Sequence, residues 1–223
     1  MTKKILASEL SPFGARLRLA SALKGLNVQF ELPPGGSGSA DLKKLTPFGR
    51  IPALVTTKGE VLVESLALLE YLEDTHPASR SLRPKDAAKL ARARMLSLLF
   101  DHNVIKALGP VFAQLSAAKP DASIVHKALD EVTAEIEKLV FFFDAKGPGA
   151  VGEISIADCA IAPFAWLIDA LAPGFGVTSP TQRVPVFAAW WSRMKELPEV
   201  VQVTGGMGKA MAAFVAAKKA QAG

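Results

Sequence analysis

Three short stretches in the first third of the chain place hydroxyls, prolines and a carboxylate where a folded backbone would expose them. Residues 8–16 read Ser-Glu-Leu-Ser-Pro-Phe-Gly-Ala-Arg and stand where the apolar run Ile5, Leu6, Ala7 gives way to an amphipathic segment. A strand handing over to a helix there aims unpaired backbone N–H groups and the positive end of the helix dipole at one spot, which suits an anion or a thiolate. Ser11 occupies that spot. With Pro12 at the first helical position, the Ser11 hydroxyl is a natural helix cap, and the alternative is that it donates to a bound thiolate. Arg16 and Arg18 add positive potential, since no acidic residue lies between Glu9 and Glu31. Ser8 is a second hydroxyl nearby, less well placed because it precedes the turn. In residues 46–54, Thr-Pro-Phe-Gly-Arg-Ile-Pro-Ala-Leu, Pro52 directly precedes a strand pattern. It either opens an edge strand in trans or takes the cis form, which would turn the Ile51 backbone outward to pair with an extended peptide. Glu64-Ser65 begins the next helical pattern, where a second set of N–H groups and a hydroxyl could hold a carboxylate or simply cap the helix.

The elements that must position these residues follow from periodicity. Strands are expected at residues 5–7, 28–32 and 53–57, with a helix at 15–24, which is βαβ logic. A Lys58-Gly59 turn leads to a hairpin partner at 61–63, and Ser65 is expected to cap a helix carrying Leu66, Leu69 and Leu72. Residues 76–85, with Pro77 and Pro84, read as a connector, and strand signals end there. Helices are expected at 86–108, 123–145, 155–171, 186–195 and from 198 to about 218. Residues 33–39, Pro-Pro-Gly-Gly-Ser-Gly-Ser, lack core-forming side chains and read as a mobile loop. A small α/β unit followed by a helical one results.

Composition excludes several classes. At 223 residues, 50% hydrophobic and 21% charged, the chain has ample material for a buried core. Cys159, the sole cysteine, cannot form a disulfide within the chain, and without Cys/His clusters no structural zinc site of the usual kind is expected. The apolar run near the start is too short for a signal-peptide core. The longest uncharged stretch, residues 170–182, is interrupted by prolines and glycines and falls short of the roughly 17 residues a membrane span needs. We therefore expect a cytoplasmic protein without a transmembrane segment. A net charge of +5 would suit an anionic partner, but the positive residues are scattered, so nucleic acid is not expected.

Taken in order and spacing, the Ser-Pro-Phe turn, the Pro-Phe-Gly-Arg-Ile-Pro-Ala-Leu segment and the Glu-Ser dipeptide resemble the cytosolic glutathione transferase superfamily. The resemblance covers essentially the whole chain and extends to residues 152–158, Gly-Glu-Ile-Ser-Ile-Ala-Asp, similar to a box that opens a core helix of the second domain. Ser155 and Asp158 there should cap reciprocally, a folding role, and Cys159 beside them should be buried and inert. The resemblance implies an α/β thioredoxin-like N-terminal domain (residues 1–76), a linker (77–85) and an all-α C-terminal bundle (86–223). It implies glutathione as co-substrate, no metal, and a homodimer. By motif, Ser11 would stabilise the glutathione thiolate, Phe13 would lie beside it, Ile51 next to a cis Pro52 would pair with the cysteinyl backbone, and Glu64 with Ser65 would hold the γ-glutamyl group. Phe13, His102, Asn103, Phe112 and Trp166 are candidates for the pocket of a small hydrophobic electrophile. Ser-Pro-Phe resembles tau-like enzymes, whereas omega-like enzymes carry Cys-Pro-Phe, so conjugation is favoured over reductase chemistry. The alternatives are a non-catalytic binding or regulatory protein of the same fold, and a glutathione-dependent etherase or dehalogenase. One departure stands out: relatives carry a lysine about eight residues before the position of Thr46, where this chain has Ser37-Gly38-Ser39, leaving Lys43, Lys44 or Arg16 to meet the glycyl carboxylate.

Overall fold

The computed structural model describes residues 2–115, 117, 119–144 and 146–222. The chain forms two compact units, one from the segment up to Leu82 together with that from Pro198 onward, the other from Arg83–Leu197.

The first unit is built on a four-stranded sheet of order β2-β1-β3-β4, with β1 Thr2–Leu6, β2 Phe30–Glu31, β3 Ala53–Thr56 and β4 Val61–Val63. β1 runs parallel to β2 through the crossover helix α1 (Pro12–Leu23), and antiparallel to β3, which forms a hairpin with β4. Ile5, Leu6, Ala53 and Leu54 are buried on these central strands, the expected result for apolar runs covered on both faces. The second strand is two residues long where five were expected. The short helix α2 (Ala40–Leu45) was not foreseen, because the glycines and serines ahead of it read as loop composition. Instead they are conformational. Gly36 donates to the Pro33 carbonyl at 2.9 Å and Gly38 to that of Gly49 at 3.0 Å, with left-handed backbone at Gly35, Gly36 and Gly38, and Ser39 caps α2 by accepting from Leu42 N–H at 3.1 Å.

Helix α3 (Ser65–Thr75) packs on α1 through buried Leu68, Leu69 and Leu72. A buried ion pair ties the two together: Lys24 Nζ lies 2.6 Å from Glu73 Oε1 and also donates to the Arg80 carbonyl at 2.8 Å, while Glu73 accepts from Ser81 Oγ and Leu82 N–H. The residues up to Leu82, expected to be linker, are thereby fastened to the first unit.

In the second unit, α4 (Ala87–Leu99) continues into a π-helical turn, Phe100–Ile105, before α5 (Gly109–Leu115), so the single helix expected over 86–108 is interrupted. Helix α6 (Ala122–Leu139) ends in a 3-10 turn at Val140–Phe142, and its expected end at Ala145 lies outside the described residues. Helix α7 (Ile156–Leu171) is the core helix, followed by α8 (Pro180–Arg183) and α9 (Pro185–Lys195). The last helix, α10 (Pro198–Ala222), corrects the expected division of the chain. Val200, Val203 and Met207 form a buried stripe at helical spacing, and α10 packs on α1, so it belongs to the first unit rather than to the helical one. By length and composition alone, the segments Ile156–Phe175 and Pro198–Lys218 could each cross a membrane, since the few charges they carry do not lower their mean hydropathy enough to exclude it. The first is mostly buried as a protein core.

Candidate active site

Strand register brings the chemical residues to one end of the sheet. Leu6 pairs with Ala53 and Ala53 with Val63, so one step further Ala7, Pro52 and Glu64 stand in a row. The chain leaves this row toward the N-terminus of α1 from Ala7 and toward that of α3 from Glu64. The Ile51-Pro52 bond is cis. The Ile51 side chain packs against the cluster of Leu6, Leu42 and Ala53, so α2 holds this residue from within.

Ser11 is the N-cap of α1, with its Oγ accepting from Gly14 N–H at 3.3 Å and Pro12 at the first helical position. The two roles considered for this hydroxyl are compatible, because an oxygen that accepts one N–H still has its own proton to donate. Ser11 is half-buried. Gly14 is required where α1 approaches β1: a Cβ there would lie 2.8 Å from that of Ala7. Ser8 is taken up locally, accepting from Leu10 N–H at 3.2 Å.

Glu64, not Ser65, is the N-cap residue of α3, with φ 70° and an exposed side chain that makes no capping bond. Such a backbone is uncommon outside glycine and concentrates at functional positions. Its carbonyl accepts from Leu68 N–H at 2.9 Å. Ser65 is the first helical residue and buried, and its Oγ accepts from Arg16 Nη1 at 3.0 Å. Arg16 is fully buried, with its guanidinium 5.1 Å from the centre of the Phe13 ring. It cannot reach outward to a glycyl carboxylate as one of three expected substitutes, and instead joins the starts of α1 and α3 internally. Spacing could have shown this, since Arg16 falls on the same helical stripe as Leu19, Ala20 and Leu23.

Arg18 does not contribute at the Ser11 end either. Its Nη2 lies 2.9 Å from Glu9 Oε2 and the guanidinium stacks 4.2 Å from the Phe30 ring centre. Of the two remaining substitutes, Lys44 pairs with Asp41 at 2.7 Å on the surface, while exposed Lys43 runs along Gly49, where a Cβ would meet its Cγ at 2.9 Å.

In the second unit, His102 and Asn103 are exposed on the π-helical turn and line a groove of about 350 Å³ with Lys106, Glu131, Glu135 and Lys138. That wall is charged rather than apolar. Phe112 on α5 and Trp166 on α7 are half-buried and do not line this groove. At the start of α7 the expected capping box is present: Asp158 Oδ2 accepts from Ser155 N–H at 2.8 Å, and the Ser155 hydroxyl faces the helix N–H groups. Asp158 Oδ1 also accepts from Ala150 N–H at 2.8 Å and Trp190 Nε1 at 2.7 Å. Burial pushes the Asp158 carboxyl up, against the opposing pull of these donors. Cys159 is buried beside it. Among the described residues no group of three His, Cys, Asp or Glu is placed to hold a metal ion.

Comparison with known proteins accounts for both units. Residues 6–80 match the glutathione S-transferase N-terminal domain, and residues 107–192 the C-terminal domain. A probable glutathione S-transferase GSTU1 of Oryza sativa subsp. japonica is 30% identical over 203 residues, covering 86% of this chain and 85% of that protein. The chain belongs to the glutathione S-transferase family. Glutathione S-transferase U6 of Arabidopsis thaliana is 28% identical over 200 residues, 89% of this chain and 86% of that protein. The crystal structure of rice GST1 in complex with glutathione superposes with a TM-score of 0.71 at 26% identity, over 92% of this chain and 95% of that one. The fold is thus the thioredoxin-like domain plus helical domain of a glutathione transferase. Within that family, the strained Glu64 and the buried Arg16 to Ser65 bond are the parts of this chain's site that its motifs alone did not reveal.

Proposed function

We propose that this glutathione transferase binds glutathione along the row Ala7, Pro52, Glu64 and ionises it at Ser11, delivering the thiolate to a small hydrophobic electrophile. The observation that carries the reading is the meeting, at one sheet end, of a hydroxyl at the start of α1, the cis Ile51-Pro52 bond and the left-handed Glu64 opening α3. A thiol with a pKa near 8.5 is only a few per cent ionised at pH 7, and about 2.7 kcal/mol of selective stabilisation of the thiolate would make it mostly ionised. The Ser11 proton and the dipole of α1 together suit that task, since hydrogen bonds to charged groups contribute about 1.5–3 kcal/mol. The Ile51 backbone pairs with the cysteinyl residue, and the α3 N-terminus with Glu64 receives the γ-glutamyl end. Ser65, held by Arg16, orients the first turn of α3 and presents its own proton there. Lys43 takes the place of the lysine absent from residues 37–39 and meets the glycyl carboxylate. Phe13 supplies apolar surface beside the sulfur.

The test is the ultraviolet thiolate band of bound glutathione, titrated with pH alongside turnover of a chlorodinitrobenzene-type substrate. In Ser11→Ala the band should appear only at higher pH, and kcat should fall about 10- to 100-fold, as the loss of one hydrogen bond to a charged group implies. An unchanged band and unchanged kcat would remove Ser11 from the mechanism. Lys43→Ala should raise KM for glutathione and leave kcat in place.

A further inference from the structure

Helix α10 outruns the surface it packs on. Its buried stripe of Val200, Val203 and Met207 continues at helical spacing as Met211, Phe214 and Lys218, but Met207 is the last buried residue of the helix among those described. Residues 212–218 are all exposed, and two successive turns of exposed positions leave no side of the helix covered. Phe214 and Val215 are 51% and 46% exposed. The stretch 210–217 is eight consecutive apolar residues, Ala-Met-Ala-Ala-Phe-Val-Ala-Ala. A helix that is apolar all round is ordinarily buried, so this extension is built for a surface outside the first unit.

Charge selects that surface. Lys209 precedes the apolar run, Lys218 and Lys219 follow it, and no Asp or Glu occurs in the sequence after Glu199. A second copy of the helix would bring lysines toward lysines with no acid to meet them, in either direction of pairing. An apolar layer with negative charge at its edge matches both parts of the pattern. Lys218 Nζ lies 5.3 Å from the centre of the Phe214 ring, so its stem can follow the apolar face while its charge stays at the rim. Because Val200, Val203 and Met207 are packed on α1, only residues 208–222 are available, about 22 Å of helix against a hydrocarbon core of roughly 30 Å. The extension can lie in an interface and is too short to cross it. We infer that residues 208–222 dock on an anionic phospholipid surface, with Met211, Phe214 and Val215 entering the headgroup boundary and the lysines at the two ends of the run meeting the anionic headgroups. The inference does not depend on the role of Ser11.

The experiment is co-sedimentation of the full chain with phosphatidylcholine vesicles containing about 30% phosphatidylserine, beside vesicles of phosphatidylcholine alone. Saturable binding to the anionic vesicles is expected at about 1 mM accessible lipid or below, and binding to the neutral ones at least about 10-fold weaker. Raising the salt from about 0.05 to about 0.5 M should release the protein. Phe214→Ala removes an exposed ring, so it should keep the parent's Tm and bind about 5-fold or more weakly. Lys209→Gln/Lys218→Gln should bind about 20-fold more weakly, as a factor of about five for each lysine implies. Hydrogen exchange of residues 210–217 should slow on the anionic vesicles. Protein left in the supernatant, equal binding to both vesicles, affinity unchanged by either variant, or a lipid-free self-association that Phe214→Ala abolishes would each overturn the inference.

Discussion

Two helix starts in this molecule share a serine cap and differ in what the cap is left to do. At α7, Ser155 is fully buried, and the residue three positions on, Asp158, returns its carboxylate to the Ser155 backbone N–H while also holding Ala150 and Trp190. At α1, Ser11 is half-buried and the residue three positions on is Gly14, which offers its N–H to Ser11 and nothing in return. The first arrangement closes the helix end on itself. The second leaves a hydroxyl proton and a positive helix end facing outward, and in place of a returning acid it has a glycine that lets α1 come up against Ala7. Between these two helix starts the difference lies at the third helical position, a returning acid in α7 and a glycine in α1.

The contrast can be broken most severely at Asp158. Asp158→Ala strands several buried donors at once, and urea unfolding should register a loss of at least about 3 kcal/mol, with conjugating activity per folded molecule retained. Ser11→Ala should do the opposite, losing most of kcat while costing only about 1 kcal/mol of stability, the usual value of a lost cap. Ser155→Ala is the matched control: a comparable cap loss of about 1–2 kcal/mol measured by the same unfolding curves, with unchanged kcat. A Ser155 variant that lost turnover as steeply as the Ser11 variant would erase the distinction between the two ends.

The smallest effect is a pH slope. Burial raises the Asp158 pKa above its unfolded value of about 3.9, so the folded state holds the proton more tightly and its stabilising contribution is complete below that value. That contribution is lost as pH rises through the folded pKa. The difference in unfolding free energy between the parent and Asp158→Asn should accordingly fall as pH rises from about 4, and a difference that grew with pH would mean that the donors outweigh burial.

The sequence was legible where local chemistry and periodicity agreed. Ser11-Pro12 announces a helix start, the Lys58-Gly59 turn between the runs at 53–57 and 61–63 announces the hairpin, and Ser155 with Asp158 announces the box. Reading failed where one residue type serves two purposes. By composition Gly35, Gly36 and Gly38 read as a mobile loop, whereas their left-handed backbone builds the turns that lead into α2. Arg16 reads as a charge open to a ligand; its place on the stripe of Leu19, Ala20 and Leu23 marks it for burial, but the acceptor that completes that burial, Ser65, is 49 residues away in sequence. The π-helical turn at Phe100–Ile105 has no local signature of glycine or proline. The placement of α10 rests on the pairing of its apolar stripe with α1, a contact that no window of sequence contains.

That placement has a consequence for how the protein comes into being. The ribosome makes β1 and α1 first and α10 only after the entire helical unit, so the outer flank of α1 spends synthesis without its cover. The helical unit is contiguous and can complete itself while translation continues, whereas the unit begun first is the last to be finished. A nascent chain stalled before residue 198 would therefore carry a contiguous second unit able to assemble and an α1 flank still without its cover.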